Sequence, residues 1–245
     1  MVPTAAPSIL VKQPILDYSS PGRDSVQDKL VEQPIFDICG SVAVPRKSNT
    51  EDRRTEIVAA MLVVIASNGY DRATIQQIAK QAGLAPGLIH YHFKDKREIL
   101  IALAKHLSDY VYQRYLKFAQ SADTAEKRLQ AYLEARLGFG PGASTDAVAA
   151  WVIVGSEAIR DDQVREVYQD AIGSEMKLLR ELLSAYFSDQ RRSQANVPRA
   201  AAVLMSFIEG AFQLSSAARK VMPRGYAAEA AFVLIDRFAQ AEPAA

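Results

Sequence analysis

Read for the spacing of its apolar positions, the chain is helical from residue 49 onward. A first helix begins at Asn49 or Thr50 and runs to Asn68, with Ile57, Met61, Val64 and Ile65 on one face and Gly69 to end it. Thr74, followed three residues later by Gln77, has the form of a capping box, and Ile75, Ile78, Ala79 and Ala82 share one face behind it. Gly83 sits where that short helix stops, and Pro86 restarts a helix that extends to His92. A much longer helix starts near Asp95 and reaches about Gln120, with Ile99, Leu100, Leu103, Leu107, Tyr110, Val111 and Phe118 at helical spacing. Helical periodicity then recurs over 124–138, 145–160, 163–188, 197–220 and 224–240. Gly and Pro clusters separate these segments, and no stretch alternates as a strand would. The pattern predicts an all-α protein of about nine helices.

The stretch Thr74–Lys96 is the most informative. Helix, glycine-containing turn and helix is the signature of a helix-turn-helix. Ala79, small and inward, lets the second helix cross close to the first, while Leu84 and Ile89 fill the angle between them. The residues expected to point outward from the second helix are Pro86, Gly87, Leu88, His90, Tyr91 and His92. Such residues can meet thymine methyls and phosphate oxygens, and a helix N-terminus attracts phosphate.

Charge adds a little to this picture. The chain as a whole carries a net +1, but residues 45–96 hold eight Lys/Arg against five acids, a net +3 that coincides with the helix-turn-helix. Arg46 and Lys47, just before the first helix, are placed to enter an adjacent minor groove as basic arms do, or to remain solvated linker charges. The single cysteine, Cys39, excludes an intrachain disulfide framework and a cysteine metal site. No apolar run is read as spanning a bilayer, and a cytoplasmic protein is expected, nucleoid-associated when bound to DNA.

Residues 1–47 have no helical period and read as an N-terminal arm rich in proline, expected to be disordered. Within it LVKQPILD at 10–17 recurs as LVEQPIFD at 30–37. This is either a duplicated linear motif that docks a protein partner or a tandem duplication drifting without a role. The predicted organisation is therefore an arm over 1–47, a DNA-binding domain over 48–94, and a larger domain over 95–245.

The run Thr74, Ala79, Gly83, Leu84, Gly87, His90, Tyr91, His92, Phe93 and Lys96 resembles the TetR/AcrR family of one-component bacterial regulators, over about the fifty residues from Glu51 to Leu100. The resemblance implies that Thr74, Tyr91, His92 and Lys96 hold phosphates while Gly87 and Leu88 lie over base edges. Two positions depart from the family's pattern: Ala85 stands where Ser or Thr usually caps the second helix, and His90 stands where Tyr is usual.

The same resemblance implies a ligand-binding and dimerisation domain. Leu204, Phe207, Ile208, Ala211, Phe212, Val233 and Leu234 would form a four-helix contact between two chains, the alternative being an intramolecular core. Tyr110, Tyr132, Trp151, Glu157 and Tyr168 are the candidate effector contacts, and Trp151 with Glu157 would suit a cationic ligand. From Ala149 onward the chain also resembles the branch containing the choline-pathway regulator BetI, in agreement with a quaternary ammonium.

Catalysis finds no support. The histidines are His90, His92 and His106, with no carboxylate or cysteine at metal-ligand or dyad spacing, and GxSxG, HExxH and phosphate-cradling glycine loops are absent. No cofactor is implied. The expected function is a homodimeric regulator, acting as a repressor released from a palindromic double-stranded operator by a small-molecule effector. The alternative is a helical protein of this fold that acts through its N-terminal motifs.

Overall fold

The computed structural model describes residues 49–241, and the arm with its repeated motif, Arg46 and Lys47 lie outside that range. Among the described residues there are nine helices and no β-strand. They are α1 (Asn49–Asn68), α2 (Ile75–Ala82), α3 (Pro86–His92), α4 (Lys96–Ala119), α5 (Ala125–Leu137), α6 (Thr145–Ala158), α7 (Asp162–Asp189), α8 (Val197–Ala217) and α9 (Ala227–Ala241).

Helix starts follow local chemistry. Thr74, Asp95, Thr124, Ser144 and Asp161 each adopt extended backbone and accept a hydrogen bond from an amide of the first turn behind them. At Thr74 the capping box is complete: the Gln77 amide donates to Thr74 Oγ1 at 3.2 Å and the Thr74 amide donates to Gln77 Oε1 at 2.9 Å. Gly83 closes α2 in the left-handed region at φ 66°, with its amide turned to the Ala79 and Lys80 carbonyls.

The two C-terminal helices are shorter than periodicity suggested. α8 ends at Ala217 and α9 begins at Ala227, because the segment between them turns through Gly225 at φ 73°.

One continuous core joins all nine helices, and it crosses the expected boundary at residue 94 without a break. Ile57, Met61 and Ile65 of α1 are fully buried with Ile78, Ile89, Ile99, Leu100 and Leu103. α1 packs on α2 and α3, and also on α4 and α6, so the helix-turn-helix is fastened to the rest of the molecule at two places. α4 in turn lies against α5, α6 and α7, while α8 packs on α6, α7 and α9.

Helix α8 corrects two expectations. By length and apolar composition it could cross a bilayer, contrary to the sequence reading that no such run exists. In the fold that composition serves two faces instead. Leu204, Ile208, Ala211 and Phe212 point into the chain's own core, so the residues expected at a dimer contact are in large part an intramolecular core. A helix with apolar residues on most of its circumference cannot be assigned to one partner from periodicity alone.

Candidate DNA-reading face and effector cavity

α3 is held by its inner side. Ile89 is fully buried, and the Phe93 amide closes the helix on the Ile89 carbonyl at 2.9 Å. Pro86, Gly87, Leu88, His90 and Tyr91 all face solvent, Tyr91 at 77% exposure. Thr74 is exposed beside them at the start of α2. A Cβ added at Gly87 would meet nothing within 4 Å, so its backbone is open to close approach by a ligand. Ala85 offers no side-chain cap, which leaves the first amides of α3 without a side-chain acceptor.

Two of the residues expected to hold phosphates are placed otherwise. His92 is 8% exposed and turned inward, because it lies three residues beyond Ile89 and shares its buried face. Lys96 is engaged within the chain: its ammonium donates to the Tyr70 carbonyl at 2.8 Å and lies 4.2 Å from the centre of the Tyr70 ring. Both therefore act first as supports of the DNA-reading unit.

Sequence reading missed Arg54. From α1 it donates to the His92 carbonyl, lies 4.0 Å over the Phe93 ring and reaches Glu98 at 3.4 Å. Glu98 in turn accepts from the Lys94 amide at 2.7 Å, while the Asp95 side chain caps α4 through the Glu98 amide. This cluster sets the angle at which α3 leaves the bundle. Nothing in the spacing of Arg54 distinguishes it from a solvated helix charge, since all its partners lie in another helix or turn.

The second region is a cavity of about 340 Å³ bounded by α4, α5, α6, α7 and α8. Tyr110, Tyr132 and Trp151 line it, joined by Tyr115, Arg136 and Glu175. At its base is a buried charge cluster. Arg136 approaches Glu175 at 2.9 Å and Glu209 at 3.3 Å, and its guanidinium lies 4.7 Å from the centre of the Phe212 ring.

Tyr132 donates to Glu175 at 2.9 Å, and both Trp151 and Tyr168 donate to Glu209, at 3.1 and 3.2 Å. Burial pulls the Arg136 guanidinium down, but Glu175, Tyr132 and Glu209 outweigh it and hold it above its ordinary value. Burial raises the Glu209 carboxyl, opposed by Arg136 and by the Trp151 hydrogen bond. Arg136 is thus answered by two carboxylates next to aromatic walls, and Asp109 and Arg114 also line the cavity.

The expected pairing of Trp151 with Glu157 is corrected. Six residues along a helix places two side chains about 120° apart around it. Glu157 points toward the helix-turn-helix instead, where it helps raise the Tyr70 hydroxyl to about 12 after burial, together with Asp161 and Asp95. The carboxylate beside the indole is Glu209, from a helix 58 residues away in sequence. Tyr168 does not line the cavity. It stacks behind Trp151 at 5.0 Å, and Gly155 leaves room for its ring.

Nine helices among the described residues, with the second helix of a helix-turn-helix exposed and a cavity behind it, are the fold of a one-component regulator. The sequence profile of bacterial regulatory proteins, tetR family, matches residues 57–103, and that of the BetI-type transcriptional repressor C-terminal domain matches residues 125–240. HTH-type transcriptional regulator BetI of Escherichia coli O17:K52:H18 is 30% identical over 156 residues, covering 62% of this chain and 77% of that protein. BetI of Rhizobium meliloti is 31% identical over 51% of this chain and 61% of its own length. The fatty acid metabolism regulator protein of Bacillus subtilis is 39% identical over 30% of this chain and 38% of its own length. The chain thus spans less than two thirds of the latter two relatives.

Among solved structures, a regulator from Saccharomonospora viridis in complex with choline superposes with a TM-score of 0.65 at 22% identity, covering 78% of this chain and 97% of that one. Bacillus subtilis FadR in complex with stearoyl-CoA superposes at 0.60 and 21%, covering 74% and 96%. The chain belongs to the TetR family of bacterial regulatory proteins, whose members are transcriptional regulators and not enzymes.

Proposed function

We propose that this chain is a homodimeric repressor that binds a palindromic operator through α3 and is released by a compact organic cation in the cavity. The observation that carries the reading is the pairing of a solvent-facing α3, with Pro86, Gly87, Leu88, His90 and Tyr91 presented, with an aromatic cavity at whose base Arg136 meets the carboxylates of Glu175 and Glu209. Thr74 at the start of α2 and Tyr91 near the end of α3 hold phosphates, Gly87 and Leu88 lie over bases, and Arg46 and Lys47 extend the contact into a minor groove.

Dimerisation uses the outer faces of α8 and α9. Val203, Phe207, Gly210 and Leu214 recur along α8 at intervals of three and four, and Val233 and Leu234 stand exposed on α9. Two copies then present two recognition helices to half-sites about one helical turn apart. Indole and phenol faces next to a buried carboxylate favour a quaternary ammonium over a neutral ligand of the same size. The proposed site of action is the cytoplasm.

The test is fluorescence anisotropy with a duplex from the region upstream of the protein's own gene, at about 50 and 200 mM salt. Binding that weakens steeply between the two salts supports the reading. No binding at the lower salt sinks it. Choline is the probe for the cavity. It should quench Trp151, the sole tryptophan, and lower operator affinity. Quenching with unchanged affinity would separate ligand binding from release, since only a ligand that binds the two states unequally can shift them.

A further inference from the structure

A second cavity of about 250 Å³ lies on the other side of Phe212, bounded by the end of α5, the start of α6, the end of α8 and the turn into α9. It shares a wall with the first, through Arg114, Arg136, Ser144, Val148 and Phe212, yet its charged lining differs, since Asp109 and Glu175 belong to the first cavity alone. No carboxylate lines it, and four arginines do: Arg114, Arg136, Arg219 and Arg224.

Two of those charges are already consumed. Arg114 donates to the carbonyls of Ala135, Gly138, Gly140 and Pro141, and Arg136 is held by Glu175 and Glu209. Arg219 and Arg224 have no acceptor among the described residues and stand exposed at the mouth, on the turn that Gly225 closes. Between mouth and floor the lining is largely apolar, from Leu137, Phe139, Val148, Phe212, Met222 and Tyr226, with Ser144, Thr145 and Ser215 among them. A hydroxyl interrupts it: Ser216 Oγ is buried with no hydrogen-bond partner among the described residues. A buried hydroxyl without a partner costs free energy, which a bound acceptor would recover.

From this arrangement we infer that the second cavity is a separate ligand site for an amphipathic anion, a carboxylate held at Arg219 and Arg224 with a hydrocarbon chain along the Phe212 wall. The guanidinium fork suits a carboxylate in two-point contact. Since a cavity of about 150 Å³ takes a benzene ring, 250 Å³ admits on the order of ten non-hydrogen atoms. A saturated eight-carbon acid has that size. Binding here does not require the cationic ligand proposed for the first cavity, although Phe212 and Arg136 line both.

The test needs no DNA. Titration calorimetry of the full chain with octanoate should give saturable binding, with octanol weaker and octyltrimethylammonium weaker still. The Arg219→Gln/Arg224→Gln double variant should lose roughly tenfold in octanoate affinity. The Arg219→Glu/Arg224→Glu variant should reverse the preference and favour octyltrimethylammonium. Both residues are exposed, and an unchanged melting temperature verifies that each variant folds. The inference is overturned by no saturable octanoate binding up to about 10 mM, by equal binding of octanoate and octanol, or by octanoate affinity indifferent to the arginines. None of these outcomes bears on operator binding, so the regulator reading stands or falls separately.

Discussion

Gly87 is the residue where local backbone and proposed contact coincide most directly. It lies in the second position of α3 with open space where a Cβ would stand, so its substitution leaves the fold alone. Gly87→Val should change stability by no more than about 0.5 kcal/mol, since valine has the better helix propensity. Operator affinity should nevertheless fall more than tenfold, because the branched side chain occupies the space a base edge needs. An anisotropy titration beside a thermal melt checks this, and normal operator binding would remove Gly87 from the interface. Arg54 works at the same scale by other means: it touches the His92 carbonyl and Phe93 and sets the exit of α3 without standing in the reading face.

Among the elements, α6 stands out because it is tied to two different parts of the proposed function. Trp151 near its middle faces the effector cavity, the helix packs along α1, and the residue that caps the next helix, Asp161, pairs with Arg97 of α4 at 3.3 Å. An effector that displaces Trp151 thus has a short packed route to the DNA-reading unit, beside the one through α4.

Asp161 also offers a pH test. The amides of Val164 and Gln163 and the Arg97 guanidinium hold its carboxyl below its ordinary value of 3.8. A lowered folded-state value means the stabilisation is fully present above 3.8 and is lost as pH falls through the lower value. Asp161→Asn keeps a cap acceptor but lacks the charge. The urea midpoint of the wild type should exceed that of the variant at pH 6, and the gap should narrow below about pH 4. A gap constant from pH 6 to pH 3 would show that the charge contributes nothing.

At the scale of the whole molecule, the apolar surface left by a single chain points to what assembles with it. Val233 is 50% exposed and Leu234 37%, on a helix whose Ala231, Ile235 and Ala239 already fill the core. Replacing Val233 with Glu places an uncompensated charge at the proposed dimer contact. Sedimentation should then report a monomer with its helical content intact. Operator affinity should drop about a hundredfold or more, since two half-sites no longer act together. A Val233→Glu dimer would move the interface elsewhere.

The sequence by itself determined the helices and the helix-turn-helix, because these depend on interactions within a few residues: Thr74 with Gln77, and Gly83 at its turn. Tyr110, Tyr132 and Trp151, which the family resemblance singled out, line the first cavity. Only the tertiary structure decided which carboxylate meets the indole. Glu209 reaches it from another helix, while Glu157 is on the wrong side of its own. Tertiary structure likewise turned His92 inward, engaged Lys96 on Tyr70, and divided the circumference of α8 between core and surface. The reason is the same in each case. Periodicity tells which residues share a face, but the partner of that face comes from segments tens of residues away, and chain packing alone selects it.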